Sequence, residues 1–282
     1  MRRFLRDLRR RRYDVVLDAQ GLLKSAAVVA LARGRVRAGL SRTSAREGAA
    51  ALFYGRPVAV PRQHHAIDRI RALFAGALGY PRPAGPPDFG IGGAFGGRSP
   101  GVSRHCVLLH GTTWESKLWP VKFWREIAER AAAAGFEVLV PWGNDAEQRR
   151  AGEIAGGTAA RVLDRRPLAA LMEELAGAAL VLGVDSGLAH LAAALEVPTV
   201  VVCGSTSSAL TGCRGVRVRN LQARFPCSPC LSRVCTYTGP PQTWQGEAVV
   251  PACYASLGPD TVWQAATELV SGHRDADRLL HF

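Results

Sequence analysis

Leu180–Thr206 reads LVLGVDSGLAHLAAALEVPTVVVCGST. An apolar run, Ala179–Val184, stops at Asp185-Ser186-Gly187, and an apolar-periodic segment, Leu188–Leu195, follows. Glu196-Val197-Pro198 ends that segment, and a second apolar run, Thr199–Cys203, closes at Gly204-Ser205-Thr206. The order predicts strand, tight turn, short helix and strand, a βαβ unit. The turn presents the N–H groups of Ser186, Gly187 and Leu188 at the strand's carboxyl end, where the helix start adds partial positive charge. Such a place suits a phosphate. Gly187 permits close approach to the backbone. Asp185 has two uses open to it, the free N–H groups of the helix or a ligand hydroxyl, and His190 lies in the first turn near the same mouth. An ordinary capped strand–helix turn is the plainer alternative.

Working outward, strands alternate with helices from residue 104 onward. His105–Leu109, Glu137–Val140 and Val162 mark strands; Val121–Ala134, Asn144–Ile154 and Pro167–Leu175 mark helices. That alternation predicts a parallel sheet covered on both faces, with ligands outside the strands' carboxyl ends. Before it, Tyr80–Ser103 is dense in Pro and Gly and reads as a linker. The first part carries a basic helix over residues 1–12, strands over Asp14–Asp18 and Val36–Leu40, and helices over Gly21–Leu31, Ser44–Leu52 and His65–Leu78. The expected division is an N-terminal domain with linker over 1–95, a C-terminal domain over 96–260, and a terminal helix or tail over 261–282. A doubly wound domain needs several βα units, so the N-terminal one reads as incomplete.

The 282 residues are 48% apolar, enough for a sizeable core, and no run of about twenty apolar residues predicts a membrane span. The N-terminus is arginine-rich without an apolar signal core. A net charge of +13 favours anionic partners. The arginines at 2, 3, 6, 9, 10, 11 and 12 also fit a solvated helix face, and no nucleic-acid recognition motif accompanies them.

Three further stretches carry chemistry. His110–Pro120 (HGTTWESKLWP) follows a strand and places Thr112, Thr113 and Lys117 on one loop. Two hydroxyls and an ammonium suit a pyrophosphate, and a lysine there stabilises a departing phosphate; a polar loop with a solvated lysine is the alternative. Asp18–Ser25 (DAQGLLKS) ends the first strand, with Gly21 at a tight turn and Lys24 in the first helical turn. Cys227, Cys230, Cys235 and Cys253 form C-x2-C-x4-C-x17-C. That spacing fits a structural zinc, reduced thiols, or a disulfide in a strained loop. No catalytic thiol is indicated, because no histidine partner is evident nearby.

The stretch D-S-G-x-x-H at 185–190 resembles the D-[ST]-G-x-x-H segment of the ADP-heptose:lipopolysaccharide heptosyltransferases, glycosyltransferase family 9. T-T-x-x-x-K-x-W-P at 112–120, P-W-G with Glu147, D-x-Q-G-x-x-K-S at 18–25 and S-A-R-E at 44–47 match the same family in order, from about Tyr13 to about Pro259. The resemblance implies a GT-B fold: two Rossmann-like α/β domains facing across a cleft, the N-terminal one truncated. It implies transfer of L-glycero-D-manno-heptose from ADP-heptose to the Kdo of lipid A, in a single inverting displacement without an essential cofactor. Thr112, Thr113, Lys117, Asp185, Ser186, Gly187 and His190 then fall to the donor. Glu147 falls near the adenosine, where it accepts ribose hydroxyls or simply favours a helix N-terminus. Lys24 and Arg46, and less directly Arg69, fall on the acceptor side, where Kdo carboxylate and lipid A phosphate call for cations; surface solvation is the alternative for each. The family's S-x-G-D loop, which carries the aspartate proposed as general base, has no counterpart before Asp18. No catalytic residue is therefore assigned, and weak or absent transfer is the expectation for this chain. The implied location is cytoplasmic and peripheral, on the anionic face of the inner membrane, without nucleic acid as partner. The alternatives are another GT-B nucleotide-sugar enzyme, such as a later heptosyltransferase or an epimerase, and an inactive ADP- or nucleic-acid-binding remnant.

Overall fold

The computed structural model describes residues 2–91 and 104–279, with side chains described as far as residue 271. Two compact units divide at Gly85/Pro86. That point lies within Tyr80–Ser103, of which 92–103 fall outside the described residues.

In the first unit, α1 (Arg2–Arg9) leads into β1 (Tyr13–Asp18), α2 (Leu23–Leu31), β2 (Gly34–Leu40), β3 (Arg56–Val58) and α3 (Ala66–Leu78). The strands form one parallel sheet in the order β1-β2-β3, with Leu17 opposite Ala38 and Gly39 opposite Pro57. Ala26 and Val29 of α2 pack with Ala50 and Tyr54 in one cluster; Leu40, Ala45, Val60 and Leu73 of α3 form another. The arginines of α1 are exposed, so the solvated-face reading describes their surroundings. The expected helix over Ser44–Leu52 is corrected. The amides of Ser44 and Ala45 turn back to the Ser41 carbonyl, and a 3-10 helix spans only Gly48–Phe53. Tertiary demands override helical spacing here: Ser44 Oγ accepts from the Val60 amide at 2.8 Å, and Ala45 is buried beside Gly21.

The second unit runs β4 (His105–Leu109), α4 (Val121–Ala133), β5 (Glu137–Val140), α5 (Asp145–Ala155), β6 (Ala160–Val162), α6 (Leu168–Ala176), β7 (Leu180–Val184), α7 (Gly187–Ala194), β8 (Thr199–Cys203), α8 (Ser208–Thr211), β9 (Val218–Gln222), the hairpin β10 (Thr243–Trp244) and β11 (Glu247–Ala248), and α9 (Pro259–Leu279). The sheet order β6-β5-β4-β7-β8-β9 is parallel throughout. Strands β4, β7 and β8 are buried at every residue, which explains their unbroken apolar runs. One layer packs Trp119, Phe123, Trp124 and Ile127 with α5 and α9; the other packs Leu171, Leu175, Ala189 and Ala192 from α6 and α7. Trp119 meets Phe123 and Trp124 edge-on, and its Nε1 donates to the Leu257 carbonyl at 2.9 Å. The chain leaves β4 in one direction to β5 and β6, then returns to β7, β8 and β9. The strand order therefore reverses between β4 and β7, the point outside whose carboxyl ends open α/β sheets bind their ligands.

Candidate functional site: a donor crevice and an arginine-lined pocket

The loops after β4 and β7 meet at that reversal. Lys117 Nζ lies 2.9 Å from Asp185 Oδ2 and 3.4 Å from the Asp185 carbonyl; His190 Nε2 lies 3.5 Å from Asp185 Oδ1. Burial alone would raise the Asp185 carboxyl, but the His190 and Lys117 contacts outweigh it and hold it well below the usual carboxylate range. Ser186 caps α7, its Oγ accepting from the Ala189 amide at 3.4 Å. The amides of Gly187 and Leu188 then head the helix without an intrahelical acceptor. A Cβ at Gly187 would meet nothing within 4 Å, so this edge of the turn is open.

Lys117 is held from several sides. Its ammonium lies 4.9 Å from the Trp114 ring centroid, and its carbonyl accepts from Tyr254 Oη at 2.9 Å. Tyr254 is fully buried and packs against Gly204, the first residue after β8. Ser116 is buried; its hydroxyl donates to the Ser232 carbonyl at 2.5 Å and is paired with the Ser205 hydroxyl, Oγ to Oγ, at 2.9 Å. Sequence reasoning passed over Ser116, Trp114 and Tyr254. The first two sit inside the quoted loop, and Tyr254 lies well over a hundred residues away with no motif to mark it.

Thr112 is half-buried and Thr113 exposed on the same loop. Glu147, on the first turn of α5, accepts from the Gly143 amide at 2.8 Å, and its own amide donates to Asn144 Oδ1 at 3.0 Å. Its carboxylate fills the space that a Cβ on Gly111 would occupy, 2.8 Å from Cδ, so the β4 and β5 loops meet around it. His110 is fully buried. Burial first, and the Arg150 charge next, push its imidazole down to about 4, against the favourable Pro141 carbonyl.

The four cysteines lie near one another: burial first, then the neighbouring Cys227, Cys235 and Cys230, pushes the Cys253 thiol up to about 12. Cys227 and Cys230 are exposed, Cys235 half-buried and Cys253 buried, all as free thiols. Among the described residues no group of three His, Cys, Asp or Glu side chains is placed to hold a metal ion. Hydrogen bonds of the segment to other loops, including Leu231 N to Ser205 O at 2.8 Å and Ser228 Oγ to Gly204 O at 2.7 Å, set its course.

In the first unit, a cavity of about 380 Å³ is lined by Gln20, Ser44, Arg46, Arg62, Arg69 and Ile70, among others. Arg69 donates to the Ser44 carbonyl at 2.8 Å and Arg62 to the Ala45 carbonyl. Arg62 was not singled out by sequence, since PRQHH carries no recognisable motif. Lys24 lines a second opening with Leu23, Arg46 and Glu47, so Arg46 borders both. Glu47 Oε2 accepts the Leu23 amide at 2.6 Å and caps α2. Asp18 at the end of β1 is consumed by structure: its carboxylate accepts from Tyr54 Oη at 2.5 Å, Ser25 Oγ at 2.7 Å, and the amides of Gln20 and Gly21. These bonds outweigh its burial and lower its carboxyl, while burial and Asp18 raise the Tyr54 phenol.

A six-stranded parallel sheet with a lysine and free helix-start amides at its reversal point defines an α/β protein, with an arrangement that suits an anionic ligand. Comparison with known proteins narrows the class. The profile of glycosyltransferase family 9 (heptosyltransferase) matches residues 1–239. Lipopolysaccharide heptosyltransferase 1 of Pseudomonas aeruginosa is 44% identical over 273 residues, 95% of this chain and 76% of that protein. Its counterpart from Escherichia coli K12 is 41% identical over 211 residues, 74% of this chain and 66% of that one. Among solved structures, E. coli heptosyltransferase WaaC with ADP superposes with a TM-score of 0.73 at 39% identity, over 79% of this chain and 70% of the other. The same enzyme with ADP-2-deoxy-2-fluoro heptose gives 0.71 at 38%, with the same coverage. The chain belongs to glycosyltransferase family 9, the heptosyltransferases.

Proposed function

We propose that the chain transfers L-glycero-D-manno-heptose from ADP-heptose to Kdo on lipid A, in building the inner core of lipopolysaccharide. The observation that carries this reading is the Lys117–Asp185 pair beside the open Ser186–Leu188 turn, at the reversal of the second unit's sheet. Its support from relatives is the ADP and fluoro-heptose ligands named for E. coli WaaC. In the proposed step, an acceptor hydroxyl oxygen forms a bond to the anomeric carbon and gives up its proton to solvent as the bond to the β-phosphate oxygen breaks, with inversion. Negative charge then grows on the departing ADP. Lys117 and the free amides of Gly187 and Leu188 stabilise that charge, Thr112 and Thr113 add hydroxyls, and Glu147 receives ribose hydroxyls. Asp185 and His190 fix Lys117 and border the same space.

The acceptor is assigned to the cavity bordered by Arg46, Arg62 and Arg69, with Lys24 at the adjoining opening. Guanidinium forks suit the carboxylate of Kdo and the phosphates of lipid A. Neither Asp18 nor Asp185 serves as the base that takes the acceptor proton, because hydrogen bonds and ion pairs already engage both carboxylates. No cofactor enters the proposal, and no zinc is assigned to the cysteines. Among the described residues no helix is long and apolar enough to cross a membrane. The net charge of +13 supports a peripheral position on the anionic cytoplasmic face of the inner membrane.

Mass spectrometry of Kdo–lipid A after incubation with the protein and ADP-heptose tests the reading. The expected product gains one heptose as ADP is released. Preference for a UDP- or GDP-linked sugar, or for an acceptor without Kdo, would overturn it.

A further inference from the structure

A diphosphate linked to a sugar brings two negative charges, yet the cation opposite it is already compensated. Lys117 Nζ sits 2.9 Å from Asp185 Oδ2, both side chains being largely buried. Lys117 and Asp185 together carry no net charge. A second, uncompensated cation meets the same aromatic ring as Lys117. The guanidinium carbon of Arg233 is 5.7 Å from the centroid of the Trp114 ring, the same ring over which Lys117 Nζ lies at 4.9 Å. Arg233 is exposed, and among the described residues its guanidinium enters no ion pair or hydrogen bond. Its backbone, by contrast, is fixed. The Arg233 carbonyl accepts from the Ser116 amide at 3.1 Å, the Ser232 carbonyl from Ser116 Oγ at 2.5 Å, and the Leu231 amide donates to the Ser205 carbonyl at 2.8 Å. The cysteine-bearing segment is thus laid across the loops after β4 and β8, and it delivers a guanidinium to the same indole that Lys117 meets.

We propose that Arg233 is a second diphosphate-binding residue of the donor site. Its planar fork takes two phosphate oxygens while Lys117 takes another, so the charge of the donor is met by one compensated and one uncompensated cation. This rests on the assignment of Lys117 to the diphosphate. The indole of Trp114 holds both cations in place without neutralising either.

The test is calorimetric titration of the wild type, Arg233→Ala, Arg233→Lys and Lys117→Ala with ADP and with adenosine. Because Arg233 contacts Ser116 through its main-chain carbonyl, truncating the side chain leaves that strap intact, and thermal melting checks this. The expected result is a loss of about tenfold to a hundredfold in ADP affinity for Arg233→Ala, with adenosine affinity unchanged and partial recovery in Arg233→Lys. The salt dependence of ADP binding becomes shallower in Arg233→Ala. Unchanged ADP affinity in Arg233→Ala, with a clear loss in Lys117→Ala, overturns the role of Arg233 alone. Unchanged affinity in both overturns the donor assignment with it. Equal losses for ADP and adenosine would mark Arg233 as a merely structural residue and overturn the proposal.

Discussion

Lys117→Ala separates binding from architecture. The substitution removes an ammonium 2.9 Å from Asp185 Oδ2 and 4.9 Å from the Trp114 centroid, in a pair whose side chains are 16% and 8% exposed. A charge-assisted hydrogen bond to a phosphate oxygen contributes about 1.5–3 kcal/mol, so ADP affinity should fall about tenfold to 150-fold. A second effect has the same sign. Without Lys117, the Asp185 carboxylate loses its cation and repels the diphosphate. Lys117→Ala combined with Asp185→Asn should therefore bind ADP more tightly than Lys117→Ala alone. Breaking one side of a mostly buried pair also destabilises the fold, by up to about 3 kcal/mol here because the His190 contact and partial solvent access remain. Titration calorimetry with ADP, beside thermal melts of each variant, reads both quantities. ADP affinity within twofold of wild type in a folded Lys117→Ala protein would refute the reasoning.

Acid should weaken the fold through His110. Its folded value of about 4 lies below the ordinary 6.5, so the stabilisation is complete above pH 6.5 and lost as the pH falls toward 4, by about 3 kcal/mol. Urea midpoints measured across that range should flatten in His110→Gln, and parallel curves for the two proteins would contradict the account. Gly204→Ala would place a Cβ 2.6 Å from Tyr254 Cζ, and should lower stability by about 1–3 kcal/mol in chemical denaturation; an unchanged midpoint would show that the tyrosine yields freely. Arg69→Ala and Arg62→Ala should each raise the acceptor KM about tenfold while leaving ADP affinity alone, because both line the first unit's cavity. A change confined to the donor would place the acceptor elsewhere.

The second unit was legible because its strands are buried on both faces. Leu180–Val184 and Thr199–Cys203 have no polar alternative to the core, and their apolar runs end where the chain must turn. That Lys117, Asp185 and His190 meet was legible for a related reason: a parallel sheet sends the end of every strand to one edge. Misreadings came where tertiary contacts decide. Ser44–Leu52 has helical spacing, but Ser44 and Ala45 serve Val60 and Gly21, and Leu52 is left 83% exposed. The course of the cysteine-bearing segment is set by hydrogen bonds to Ser116, Ser205 and Gly204, which residue spacing does not record. Arg62, Arg233 and Tyr254 act through partners far away in sequence, and periodicity holds no record of such pairings. Strand β3 escaped notice because it is three residues long and contains Pro57.

The central claim is that the donor diphosphate sits at the reversal of the second unit's sheet. A crystal structure of the protein with an ADP-heptose whose 2-hydroxyl is replaced by fluorine tests it most directly. The account predicts phosphate oxygens within hydrogen-bond distance of Lys117 Nζ and of the Gly187 and Leu188 amides, with the ribose toward Glu147. A diphosphate bound away from the Asp185–Gly187 turn, with Lys117 still closed on Asp185 and touching no phosphate, would contradict it.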